Sequence, residues 1–134
     1  MKPLRLLLFF SLFSFSVFSY AQTIRLKTSS VSFCEKNDIG KWSNWSDFVK
    51  AEIVITVDGK KNRIVVNSPE LQVFSINAYG DKIENENEKI VPFECVDHNG
   101  SKCNIIVITK KNEDNRMQFY INYADVKFVY NIYK

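Results

Sequence analysis

The chain has 134 residues, 46% hydrophobic and 14% aromatic, with eighteen basic and fifteen acidic side chains and a formal charge of +3. That is enough for one domain with a core of its own. A charge so near neutral excludes an electrostatic case for nucleic acid or an anionic membrane surface. The small basic groups, Lys60, Lys61 and Arg63 in one turn and Lys110 and Lys111 in another, read as solvated turn tips.

Residues 1–21 open with Lys2 and Arg5, continue through an apolar stretch over 6–18 and end on Ser19-Tyr20-Ala21, with small residues at the −3 and −1 positions. This is the layout of a helical, cleavable secretory signal peptide. The apolar stretch is shorter than the ~20 residues needed to span a membrane. The sequence therefore predicts cleavage after Ala21, a secreted or periplasmic mature chain over 22–134, and no transmembrane segment within it. All fifteen acidic residues but only sixteen of the eighteen basic ones lie beyond Ala21, so the mature balance is +1.

The mature chain reads as strands separated by polar turns. Residues 23–34 form a first strand with a break around Ser29-Ser30. At 42–49, Trp42, Trp45, Phe48 and Val49 recur at helix-like spacing. Gly40, Ser43, Asn44 and Ser46 are poor helix interior residues, which favours an irregular lead-in to the next strand. The β-branched run 53–57 stops at Asp58-Gly59, a hairpin signal because both residues tolerate positive φ. Strands follow at 63–66 and 71–78, then a charged, solvated loop at 80–89, then strands at 90–96, 103–109, 117–123 and 126–133. In the last two, Met117, Phe119, Ile121 and Tyr123, and Val126, Phe128, Tyr130 and Ile132, alternate with a more polar set and are assigned to the core. Turn signals recur about every ten residues with no convincing helix, so the fold class is all-β: a single antiparallel meander of seven to eight strands, as a barrel or a sandwich.

Three cysteines follow the signal: Cys34, Cys95 and Cys103. An exported chain can form disulfides. If His98-Asn99-Gly100 is a three-residue hairpin loop, Cys95 stands directly opposite Cys103, within bridging range. A two-residue Asn-Gly turn would instead set the two on opposite faces. The first register favours a Cys95–Cys103 disulfide and leaves Cys34 as a small buried apolar residue.

Catalytic chemistry finds little footing. His98 is the one histidine, on a hairpin tip with no pocket, and a disulfide would remove either neighbouring cysteine as nucleophile. The short ligand pairs of a zinc site are absent. Asp97-His98-Asn99-Gly100-Ser101 resembles the opening of a calcium loop but lacks the closing acidic residue, and turn chemistry accounts for it. The expectation is therefore no catalytic residue, no metal and no cofactor. The aromatics are the stronger signal. Most fill a core, while Trp42, Trp45, Tyr120 and Tyr133 are candidates for a binding surface.

Gly40-Lys41-Trp42 is similar to the glycine–any–tryptophan signature near the first strand of lipocalins and fatty-acid-binding proteins, which implies an up-and-down barrel. A phenylalanine-rich signal, WSNWSDF, CVDHNGSKC and QFYINYADVKFVYNIY together resemble the small uncharacterised exported β-rich proteins of Bacteroidetes, which implies a compact β domain without a known activity. The expected function is a non-enzymatic exported β domain acting as a protein or envelope interaction module. The alternative is a small barrel carrying an apolar or sugar-like ligand. The partner is an unidentified protein or a small apolar molecule.

Overall fold

The computed structural model describes residues 22–133, so the signal segment lies outside the described residues. The strands are β1 (Thr23–Glu35), β2 (Val49–Lys50), β3 (Val54–Asp58), β4 (Arg63–Val66), β5 (Gln72–Tyr79), β6 (Ile83–Glu84), β7 (Glu88–Asp97), β8 (Lys102–Lys110), β9 (Arg116–Asn122) and β10 (Val126–Ile132). A 3-10 turn, Lys111–Glu113, joins β8 to β9. Every pairing is antiparallel, and the eight longer strands follow one another in chain order around the sheet. Pairing of β1 with β10 closes the sheet into a barrel.

Closure depends on β1 serving two neighbours. Its first half pairs with β3, Leu26 opposite Ile55, and its second half pairs with β10, Phe33 opposite Phe128. The register shifts between Thr28 and Ser30, where the sequence places a break. An extra residue at such a point bends the strand and strengthens its twist, which lets one strand turn the corner between two partners.

Directly paired residues share a face, so the register defines the interior. Phe93, Ile105, Ile121 and Phe128 form one inward row across β7 to β10. Phe74, Phe119, Ile55, Ile64, Ile105, Ile121 and Val66 are essentially inaccessible to solvent. Of the core set assigned to the last two strands, Phe119, Ile121, Tyr130 and Ile132 are buried and Met117, Tyr123 and Phe128 pack against them, while Val126 is half-buried outside this cluster. The middle of the barrel is therefore occupied by side chains.

The segment 42–52 forms no helix. It runs antiparallel beside the second half of β1 as a strap, continuing into β3. The strap is partly a strand and partly a string of serine contacts. Ser43 and Ser46 accept hydrogen bonds through Oγ from the Glu35 and Phe33 amides, at 2.9 and 3.0 Å. Their own amides donate to the carbonyls of the same two residues. Ser32 Oγ donates to the Ser46 carbonyl at 2.6 Å, and Thr28 Oγ1 donates to the Ala51 carbonyl. These hydroxyls satisfy backbone groups that a regular ladder would otherwise pair.

Two local expectations are revised. The β3–β4 loop spans 59–62, with Asp58 opposite Arg63, and its positive φ falls on Asn62 at 48°. Asp58 instead caps the turn, its Oδ1 accepting from the Lys60 and Lys61 amides. The charged stretch 80–89 also carries a short strand, because Ile83 pairs with Ile90 of β7.

Candidate functional site

The outward positions of β1 are small: Ser30, Ser32 and Cys34, paired with Asn131, Val129 and Lys127 of β10. Long side chains of the strap can therefore reach across β1. The Lys127 ammonium sits 4.3 Å from the centre of the Trp42 ring, and Lys36 contacts the same ring at 5.6 Å. Trp45 meets Tyr120 of β9 edge to face at 6.3 Å. The strap thus buries Ser32, Cys34, Val129 and Gln118 although they lie outside the barrel. Cys34 is a buried free thiol, as expected, but the strap rather than the barrel interior covers it.

The four candidate aromatics do not form one cluster. Trp42 lies over Lys127 and Trp45 against Tyr120. Tyr133 stands elsewhere, its hydroxyl donating to Glu52 at 3.0 Å and its ring under Lys27. Burial raises the Tyr120 pKa above its ordinary value, and the hydrogen bond to the Glu52 carboxylate raises that of Tyr133. What remains open on the strap is its outer edge. Trp45, Phe48 and Val49 are 45%, 48% and 60% exposed in a stretch of five residues. β2 pairs only with β1 and ends the sheet on that side.

At the hairpin end of the barrel, Cys95 stands directly opposite Cys103 on the inward face, in the core with Phe93 and Ile105, while Val96 and Lys102 pair on the outward face. The hairpin that sets this register closes through the Asp97 amide on the Ser101 carbonyl at 2.9 Å, with Gly100 at φ 83°. It is the three-residue loop rather than the two-residue alternative. Both cysteines are free thiols in this structure. Burial, then the neighbouring Cys103, pushes the Cys95 thiol up to about 12; burial, then Asp97, pushes Cys103 up to about 11. Protonated thiols are poor nucleophiles and poor metal ligands.

Asp97 is fully engaged. Its Oδ1 accepts from the Asn99 and Ser101 amides at 2.9 Å, and its Oδ2 accepts from the Tyr123 hydroxyl at 2.9 Å. The Ser101 amide chiefly holds its carboxyl below the usual aspartate range, and burial raises the Tyr123 phenol. Those bonds are turn chemistry, as expected for this loop. His98 is exposed on the tip. Among the described residues, no group of three or more His, Cys, Asp and Glu converges in the way a metal ion needs.

Between this hairpin and the strap lies a groove of about 690 Å³, lined by Asn77, Glu94, Lys102, Asn104, Asn122 and Lys127, with Cys95, Cys103, Tyr123 and Ala124 completing its wall. Four of these residues form one outward row across four strands: Glu94 opposite Asn104, Asn104 opposite Asn122, Asn122 opposite Lys127. The register of β5 against β7 shifts at Asn77, which sits between Ile76 opposite Cys95 and Ala78 opposite Glu94. Inspection of the sequence passes over this site because its members are fifty residues apart. The available signal is compositional: asparagine is depleted in strands, yet Asn77, Asn104 and Asn122 occupy strand positions.

Among the described residues no helix is long and apolar enough to cross a membrane. The chain matches no protein-family model, no curated protein and no solved structure.

Proposed function

We propose that this protein is an exported, non-enzymatic β domain that acts as a protein or envelope interaction module through the outside of its barrel. The observation that carries this reading is the strap edge, where Trp45, Phe48 and Val49 expose apolar surface along a strand paired on one side only. Large apolar side chains left exposed close together in the chain support contact with another surface, and an open strand edge supplies backbone groups for it. The interior supports the choice of the outside, since large aliphatic and aromatic side chains occupy it. The non-enzymatic reading rests on the engaged Asp97, the exposed His98 and the burial of Cys95 and Cys103 in the core. The proposed Cys95–Cys103 bridge, formed after export, is in keeping with their facing register.

The test is site-specific photocrosslinking in intact source cells, with the reactive residue placed at Phe48 or at Ile83, which is 54% exposed on the other flank of the sheet. A discrete adduct with one envelope or secreted protein is expected from Phe48 alone. No adduct, or equal adducts from both positions, overturns the reading. N-terminal sequencing of the same material checks export, the expected first residue being Gln22.

A further inference from the structure

Four asparagines stand inside the strands at outward positions or at a bulge: Asn77, Asn104, Asn122 and Asn131. Strands disfavour this residue, so a strand asparagine needs a compensating role. Asn131 has one within the fold, accepting from Gln118 Nε2 and donating to Ser30 Oγ, both at 3.0 Å. The other three make no side-chain hydrogen bond among the described residues, and Asn122 Oδ1 is closed off from solvent without a partner. All three line the groove. Glu94 and Lys102 likewise form no ion pair among the described residues, and the contact made by Lys127 is with the Trp42 ring. Six polar side chains thus converge on one concavity with almost all of their bonding capacity unused.

We infer that this groove binds an acidic oligosaccharide. Its volume falls within the roughly 300–1,000 Å³ of small-molecule sites. The β-bulge at Asn77 is a device that re-aims side chains beside functional sites. The chemistry of the lining selects the ligand. Asn77 and Asn104 each carry a donor and an acceptor side by side, which is what two neighbouring sugar hydroxyls need, and Asn122 adds its amide donor, its Oδ1 being closed off. The row of Glu94, Asn104, Asn122 and Lys127 repeats at the strand spacing of about 4.8 Å, so it follows a linear ligand laid across the strands. Two ammonium groups against one carboxylate leave the groove cationic, so the matching sugar carries carboxylates.

An extended peptide fits less well. Peptide recognition by strand addition uses a free strand edge and pockets for alternate side chains. This groove lies on the face of four paired strands and offers amides and charges in place of apolar pockets. The site is separate from the strap edge, and it stands or falls independently of the interaction surface proposed above.

The experiment is a titration of the nitrogen-labelled domain followed through its asparagine side-chain amide resonances. The probes are trigalacturonate, the neutral sugar galactotriose and the peptide triglutamate. Trigalacturonate is expected to shift the Asn104 and Asn122 amides and leave Asn131 in place, with galactotriose binding about tenfold more weakly. Lys102→Gln, on an exposed side chain that forms no hydrogen bond or ion pair among the described residues, is expected to weaken trigalacturonate about fivefold without a change in melting temperature. Asn122→Thr is expected to abolish saturable binding while keeping the domain folded. Absence of groove shifts with trigalacturonate overturns the proposal. So does an equal response to triglutamate, which would make the groove a general anion or peptide site, and so does indifference to Lys102→Gln.

Discussion

On the strap side of β9, Gln118 binds Asn131, Asn131 binds Ser30, and Ser32 binds the strap backbone. Four residues further along the same strand, the Asn122 side chain makes no hydrogen bond among the described residues, and neither does that of Asn104 opposite it. Both sets are outward-facing polar residues on one continuous sheet. The first set is buried beneath a covering segment, so each member must find a partner or leave a desolvated polar atom behind. The second set lines an open groove, where water can serve the exposed Asn104 and the amide nitrogen of Asn122, while Asn122 Oδ1 is left closed off without a partner. Residue type and strand position are alike in the two regions. What differs is whether the polar groups answer to the protein or to something outside it.

The contrast can be broken by experiment, beginning with the cysteine pair at the groove end of the core. Oxidation of Cys95 to Cys103 should raise stability by about 2–3 kcal/mol, since it closes a short hairpin loop. Chemical denaturation with and without reductant measures the gain, and unreduced mass analysis should find a bridged peptide holding these two residues with Cys34 free. A bridge to Cys34 would contradict the outward position of that residue under the strap. Next, Asn131→Ala should cost about 1–3 kcal/mol by leaving Gln118 without its acceptor in a buried setting. Trp45→Ala removes a half-exposed ring and one edge-to-face contact with Tyr120, so about 1 kcal/mol is expected, far less than for a core aromatic. The smallest effect belongs to Asn122→Thr. Stability should stay within about 0.5 kcal/mol of the parent or rise, because threonine suits a strand better and no bond is lost. Equal losses for the Asn131 and Asn122 variants would erase the distinction between the two sides.

A second handle on the groove end is pH. Asp97 is held below its ordinary value by the Ser101 amide. Its contribution is therefore present above the unfolded aspartate value of about 3.9 and fades as pH falls through the lower folded value. Hydrogen exchange at the Asn99 and Ser101 amides should accelerate below pH 4 before the rest of the sheet responds.

Much of this architecture is legible in the residues themselves, because strand alternation and turn chemistry are local. Phe119 and Ile121 alternate with Gln118 and Tyr120, and Asn99-Gly100 supplies the left-handed position that sets Cys95 against Cys103. The break at Ser29-Ser30 is local too, and it marks where β1 changes partner. The strap is harder to read. Its aromatic spacing imitates a helix, and its pairing uses Ser43 and Ser46 hydroxyls in place of a continuous ladder. Two-residue pairings such as Ile83-Glu84 are too short for any periodicity. The groove is hardest of all, because positions 77, 94, 104, 122 and 127 meet only through the register of five strands, and each turn length shifts that register.

The shared partnership of β1 has a temporal consequence. Phe33 lies opposite Phe128, so the contact that seals the barrel joins residues nearly a hundred positions apart. Meander hairpins such as β7–β8 can form as soon as their own residues are available, but sealing must wait for the last strand and bears the largest loop-closure entropy. Until that contact forms, the sheet keeps two open edges. Its final docking step should be the slow phase of refolding, and bringing β1 and β10 together early is the most direct way to hasten it.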